Sequence, residues 1–368
     1  MSRSLVVVSC FLSLIVVLIS CNKNEDITSQ SGTELSLPDV DYRYAQNDKI
    51  TKIGRVLFYD KSLSANNSTS CGSCHKQHLA FADDSRLSPG FDNRIGNRNT
   101  PPIQNLRIGS QLLFWDGRES NLLNMVTQPV FNHVEMGIRS DRYLLNNVKS
   151  KPYYEELFRE AYRDGEITLE RISESLAFFV SSLISINSGF DLPNEMRPSD
   201  VNEGEKLFFG KYNCGNCHNI RNPKGYDGGD VIEVDSISLT VINEPLRTNS
   251  PMINIGLDLN YKDKGLGELT YNPGDNGKFK IPNLRNVSLT SPYMHDGRYK
   301  TLDEVLDFYS RNINNHPNLD SKLKSLKSAP QSFNISAKER KQLISFLESL
   351  TDHSFITDPK FSDPFINR

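Results

Sequence analysis

Two pentads of one pattern, Cys71-Gly72-Ser73-Cys74-His75 and Cys214-Gly215-Asn216-Cys217-His218, constrain this chain more than any other feature. Each sets two thiols three residues apart and puts a histidine directly after the second. At that spacing two cysteines can add across the vinyl groups of one porphyrin, and the histidine becomes a ligand of its iron. A zinc knuckle would gather four cysteines into one cluster. A thioredoxin-like redox pair has no need of a histidine fixed in both copies. Two covalently attached c-type haems are therefore the expected cofactors. The remaining two of the six cysteines, Cys10 and Cys21, lie near the amino terminus, so none is left for a structural disulfide.

That terminus reads as an export signal. Arg3 precedes an apolar run over residues 5–19, too short for a stable transmembrane helix. It ends in Leu18-Ile19-Ser20-Cys21, which resembles a bacterial lipobox. Residues 1–20 are read as a lipoprotein signal peptide, with Cys21 as the lipidated first residue of the mature protein. Residues 21–40 form a polar tether with too little apolar surface to fold alone. The expected location is the periplasm or cell envelope, on a membrane through the lipid anchor. Haem attachment needs the same oxidising compartment. A formal net charge of -3 leaves no nucleic-acid footprint.

The halves of the chain repeat each other. Gly54-Arg55-Val56-Leu57-Phe58 precedes the first pentad, as Gly204-Glu205-Lys206-Leu207-Phe208 precedes the second. Downstream, Phe114-Trp115-Asp116-Gly117-Arg118 answers Met294-His295-Asp296-Gly297-Arg298. An internal duplication of a cytochrome c-like unit accounts for these pairings, with domains at 41–190 and 195–350 and a tail over 351–368. Apolar residues at three- and four-residue steps predict an amphipathic helix over 168–188. Thr301/Glu304 and Ser336/Glu339 are capping boxes opening two more. Residues 222–285 are rich in Gly, Asn and Asp and read as long loops. The fold class is mostly α.

Taken in order, these segments resemble the bacterial dihaem cytochrome c peroxidase family, including its MauG-like members. The resemblance runs from Gly54 to about Tyr309. Besides the pentads and the repeated Asp-Gly-Arg motifs, it rests on Glu135-Met136-Gly137, Pro282-Asn283-Leu284-Arg285-Asn286 and Pro292-Tyr293-Met294-His295-Asp296-Gly297. It implies a peroxidatic haem in the first domain and an electron-transfer haem in the second, with His75 and His218 as proximal ligands.

The resemblance also distributes the chemistry. Glu135, twenty residues after Trp115, falls on the family's distal acid–base residue. Trp115, the only tryptophan, falls on the residue that relays charge between the haems. Some members close the first iron with a histidine sixteen residues after the proximal one; Phe91 stands there and cannot ligate, so the first haem is expected open. Met125 replaces a frequent glutamine. His78 and His133 lie nearby, read as a local polar contact and as an ambiguous pocket neighbour. Tyr309, fourteen residues after His295 of the His-Asp-Gly motif, takes the place of a methionine ligand of the second haem, as in MauG-like members. The competing reading makes Tyr309 a core aromatic, with Met294 or Met252 as the ligand. His295 itself is expected at the second haem. A calcium ion between the domains is implied, on Asn99, Thr290 and Pro292.

The leading expectation is an oxidoreductase that reduces hydrogen peroxide with electrons from a small redox protein. The alternatives are a MauG-like, peroxide-dependent oxidase of a partner protein and a dihaem electron carrier without catalysis.

Overall fold

The computed structural model describes residues 34–35, 48–106, 112–218, 220, 252–326 and 328–366. The signal segment, Cys10 and Cys21 lie outside them, as does the tether apart from Glu34–Leu35. The described fold is mostly α, with two two-stranded antiparallel sheets. No helix among the described residues is long and apolar enough to cross a membrane.

Each half is built on a crossed helix pair. In the first, the Asp48–Tyr59 helix buries Ile53, Val56, Leu57 and Phe58 against the Leu169–Ser182 helix, with Ile172, Leu176 and Phe179 facing it. In the second, the Ser199–Lys206 helix and the π-helical turn Leu207–Lys211 pack on the Ala337–Ser349 helix. One glycine sets each crossing. A Cβ on Gly54 would strike the Ser175 carbonyl and lie 2.8 Å from Phe179 Cβ; one on Gly204 would strike the Gln342 carbonyl and lie 2.8 Å from Phe346 Cβ. One turn on, Phe58 meets Phe179 and Phe208 meets Phe346, each at 5.1 Å between ring centroids.

The expected helix over 168–188 begins on schedule, with Thr168 capping Arg171 N, but stops at Ser182. Beyond it the Asn105 side chain takes both the N–H and the carbonyl of Ser185, and backbone so held cannot continue a helix. Both capping boxes form, opening the Leu302–Arg311 and Ala337–Ser349 helices. Of the Gly-, Asn- and Asp-rich stretch over 222–285, residues 222–251 lie outside the description. The rest carries the Met252–Ile253 and Phe279–Lys280 strand pair and the Leu266–Thr270 helix.

The last residues of the chain return to the first half. Phe355, Phe361 and Phe365 join its core, Tyr59 donates to the Phe361 carbonyl at 2.5 Å, and Phe365–Ile366 pairs with Glu34–Leu35.

Candidate haem sites

Cys71–Cys74 is a single helical turn, and Cys214–Asn216 a 3-10 turn leading into Cys217. The amide of His75 donates to Cys71 O at 2.8 Å, and that of His218 to Cys214 O at 2.9 Å. On such a turn residues i, i+3 and i+4 share a face, so both thiols and the imidazole point the same way. Gly72 lies under the Tyr59 ring and Gly215 under the Phe209 ring, where any side chain would collide.

Each turn forms the floor of a cavity. The first, about 730 Å³, is lined by Cys71, Cys74, His75, Trp115, Met125 and Glu135, among others. The second, about 300 Å³, is lined by Cys214, Cys217, His218, His295 and Tyr309 among others, and is largely apolar. Burial pushes the thiol pKa of Cys71 and Cys214 up to about 12 and that of Cys74 to about 11. The thiols therefore stay neutral, and none of the four forms a disulfide. His75 Nδ1 lies 2.8 Å from Phe81 O, and His218 Nδ1 lies 3.1 Å from Pro282 O. A carbonyl can only accept, so Nδ1 carries the proton and Nε2 keeps its lone pair for a metal. Desolvation also lowers both imidazole pKa values, which favours the neutral, ligating form. Two neutral thiols and one oriented imidazole on each apolar floor fit a covalently held haem in each half.

Glu135 is half-buried in the first cavity. Desolvation raises its carboxyl pKa, and Arg118 opposes that only in part. Asn132 Nδ2 donates to Oε1 at 3.0 Å, which leaves Oε2 without a donor among the described residues. Phe91 sits behind this loop: its amide donates to Glu135 O at 2.8 Å, and its ring covers the face of Gly137. It contributes neither a ligand nor lining. Met125 adds an apolar wall. His133 is exposed at the cavity rim, whereas His78 is exposed and lines neither cavity.

Trp115 lines both cavities. Its indole N–H donates to Asn99 O at 2.9 Å, and its own carbonyl accepts from Lys280 N at 2.9 Å. Tyr309 faces the second cavity; burial pushes its phenol pKa up. Met294 lines the same cavity, while Met252 lines neither. His295 is buried and stacked on Phe279, with ring centroids 3.7 Å apart and planes at 14°. It is thus a wall of the second cavity, held in place from one face. Asn99, Thr290 and Pro292 all line that cavity as well. The Asn99 carbonyl is taken by the indole, but its Oδ1 has no donor among the described residues.

Three groups at the site were missed in the sequence. Arg98 pairs with Asp116 in the first half and with Asp263 in the second at 2.6 Å, bridging the two. Asn132 orients Glu135. Lys280 lines both cavities, and its signal was a lone cation in the otherwise apolar run Phe279-Lys280-Ile281-Pro282.

The site defines the class: a c-type cytochrome with one haem position in each half and a shared tryptophan between them. Comparison with known proteins places it more narrowly. The family model for di-haem cytochrome c peroxidase matches residues 48–196. Over 270 residues the chain is 30% identical to cytochrome c551 peroxidase of Nitrosomonas europaea, spanning 72% of this chain and 74% of that one. Over 306 residues it is 31% identical to methylamine utilization protein MauG of Methylorubrum extorquens, spanning 81% and 77%. Among solved structures, a MauG-like protein associated with microbial copper homeostasis aligns with a TM-score of 0.72 at 29% identity, covering 90% of this chain and 97% of that chain. The chain belongs to the bacterial dihaem cytochrome c peroxidase and MauG family.

Proposed function

We propose that this protein is a dihaem c-type peroxidase, which reduces hydrogen peroxide to two waters with two electrons from a small redox protein such as a cytochrome c. The observation that carries the reading is the first cavity. There a proximal-type histidine and a desolvated carboxylate face one apolar space, and Trp115 leads from it to the second cavity. Cys71, Cys74 and His75 would hold the peroxidatic haem; Cys214, Cys217 and His218 would hold the electron-transfer haem. When bound, the two irons supply the redox equivalents.

The chain's own residues handle protons and geometry. Glu135 Oε2 can take a proton from the near oxygen of peroxide and return it to the far oxygen, which leaves as water. Asn132 fixes the carboxylate plane, and Met125 adds apolar lining to the same cavity. Trp115 is a positioning and relay residue, locked at both its indole N–H and its carbonyl. The repeated glycine crossings support an origin by duplication, with haem domains at 41–190 and 195–350. The calcium reading is supported by Asn99, Thr290 and Pro292 lining one cavity. Export and lipidation at Cys21 rest on the sequence alone.

The MauG-like reading, a peroxide-dependent oxidase of a partner protein, is favoured by one observation: Tyr309 faces the second cavity, where a ligand of that haem would stand. Stopped-flow mixing of the ferric holoprotein with peroxide, followed by turnover with reduced cytochrome c, tests both. Fast reaction and sustained turnover support the peroxidase. Fast reaction at both haems without turnover of small donors supports the oxidase, reaction only after one haem is reduced returns the protein to the reductively activated peroxidases, and no reaction with peroxide in either state removes both readings.

A further inference from the structure

A buried ammonium without a counter-charge is expensive, because it has given up its hydration and nothing replaces it. Lys280 is in that position. The residue is 9% exposed, and its ammonium has no hydrogen-bond or ion-pair partner among the described residues. Its backbone cannot shift to relieve the cost, because it pairs with Met252 in the short sheet and its N–H is held by the Trp115 carbonyl. What surface the side chain retains is cavity wall, and it belongs to both haem cavities. Asn99, Pro102 and Trp115 are the other residues that line both. The nearby cation Arg98 is already matched by Asp116 and Asp263, so it offers Lys280 no anion and takes none from it. Burial pulls the lysine pKa down to about 8, as expected of a cation with no counter-charge among the described residues.

Resting on the dihaem reading, we propose that Lys280 is a shared counter-ion for the two prosthetic groups, its ammonium taking propionate carboxylates from both haems at the seam between the halves. A c-type haem is fixed by its vinyl edge to the cysteines, which leaves its propionate edge to find cations elsewhere. One ammonium has three donors and can serve two carboxylates at once. The arrangement makes the charge at the seam common to both irons. Lys280 is then a positioning residue: it touches no reacting atom, but it sets the potential of each haem and couples them.

The test is spectroelectrochemical titration of the doubly loaded holoprotein, wild type against Lys280→Met and Lys280→Arg. Losing the cation leaves the carboxylates uncompensated and stabilises the more positive ferric state. Both midpoint potentials should therefore fall in Lys280→Met and return towards the wild-type values in Lys280→Arg. A fall at one haem alone, or at neither, overturns the proposal. If Lys280→Met does not load haem, redox-difference infrared spectra of Lys280→Arg decide instead. The propionate carboxylate bands should shift from their wild-type positions, and unmoved bands overturn the proposal. Neither readout involves peroxide, so failure here is distinct from failure of the peroxidase reading.

Discussion

A carboxyl group in an apolar cavity works as a base only above its own pKa, and burial moves that threshold upward. Desolvation raises Glu135 above the ordinary glutamate value, with Arg118 pulling it partly back. The reaction with peroxide should therefore fade with acid at a pH higher than an exposed glutamate would give. Replacing the group by an amide removes the proton acceptor but keeps the Asn132 contact at Oε1. Glu135→Gln should slow the stopped-flow reaction by roughly 10²–10⁴-fold with both haems bound. The sign for stability is opposite. A carboxyl whose folded pKa is raised stabilises the fold below its unfolded pKa, and that contribution is lost as pH rises through the folded value. At neutral pH the variant should thus melt no lower than wild type. A large drop in melting temperature would mean that Glu135 is a structural group. For the second haem, Tyr309→Phe removes only the hydroxyl that faces the cavity. Its absorption and EPR signals should change while those of the first haem stay fixed; an unchanged spectrum would pass the ligand role to Met294.

Helices and turns carry the site through two devices, one plain in the sequence and one not. The plain device is the glycine crossing. Gly54 and Gly204 stood out as repeated positions, and each is where one helix backbone rests on the next. A methyl there cannot be accommodated by rotating a side chain, because it meets a carbonyl. Gly54→Ala and Gly204→Ala should each cost about 1–3 kcal/mol, the usual price of overpacking, measurable by denaturant titration of the holoprotein. The hidden device is the carboxy-terminal segment. Phe355 and Phe361 pack on Phe81 with ring centroids at 5.6 and 6.4 Å, and Gln77 donates to Asp358 O at 2.8 Å. Phe81 is the residue whose carbonyl holds His75 Nδ1. Aromatic residues spaced irregularly through short turns have no period, so nothing local tells where they dock. The pentads and capping boxes were legible because their chemistry is local; the premature end of the helix at Ser182 was not, because Asn105 arrives from another part of the chain. Phe355→Ala should loosen the brace behind His75. Its expected signature is a changed axial-ligand spectrum at the first haem with the second unaltered, and an unchanged first haem would reduce the contact to packing.

At the scale of the molecule, the halves are fastened so that one tryptophan stands between their cavities. Arg285 of the second half makes a buried bidentate pair with Asp191 of the connecting segment at 2.7 and 2.8 Å, and its carbonyl accepts from Gln104 of the first half at 2.9 Å. Asn286 ties Ser185 to Asp352, and Arg98 spans from Asp116 to Asp263. These links fix how far apart the two cavities stand. The relay role proposed for Trp115 has a structural basis: its main chain is tied to Lys280 of the second half and its indole to Asn99. A phenylalanine would fill most of the same space but lacks the N–H and is much harder to oxidise. Trp115→Phe should therefore leave the first encounter with peroxide at its wild-type rate and slow the oxidation of the second haem that follows. Global analysis of the two haem bands in one stopped-flow record separates these phases. If both phases keep their wild-type rates, charge crosses the seam without the indole, and Trp115 matters only for holding Asn99 and the strand that carries Lys280.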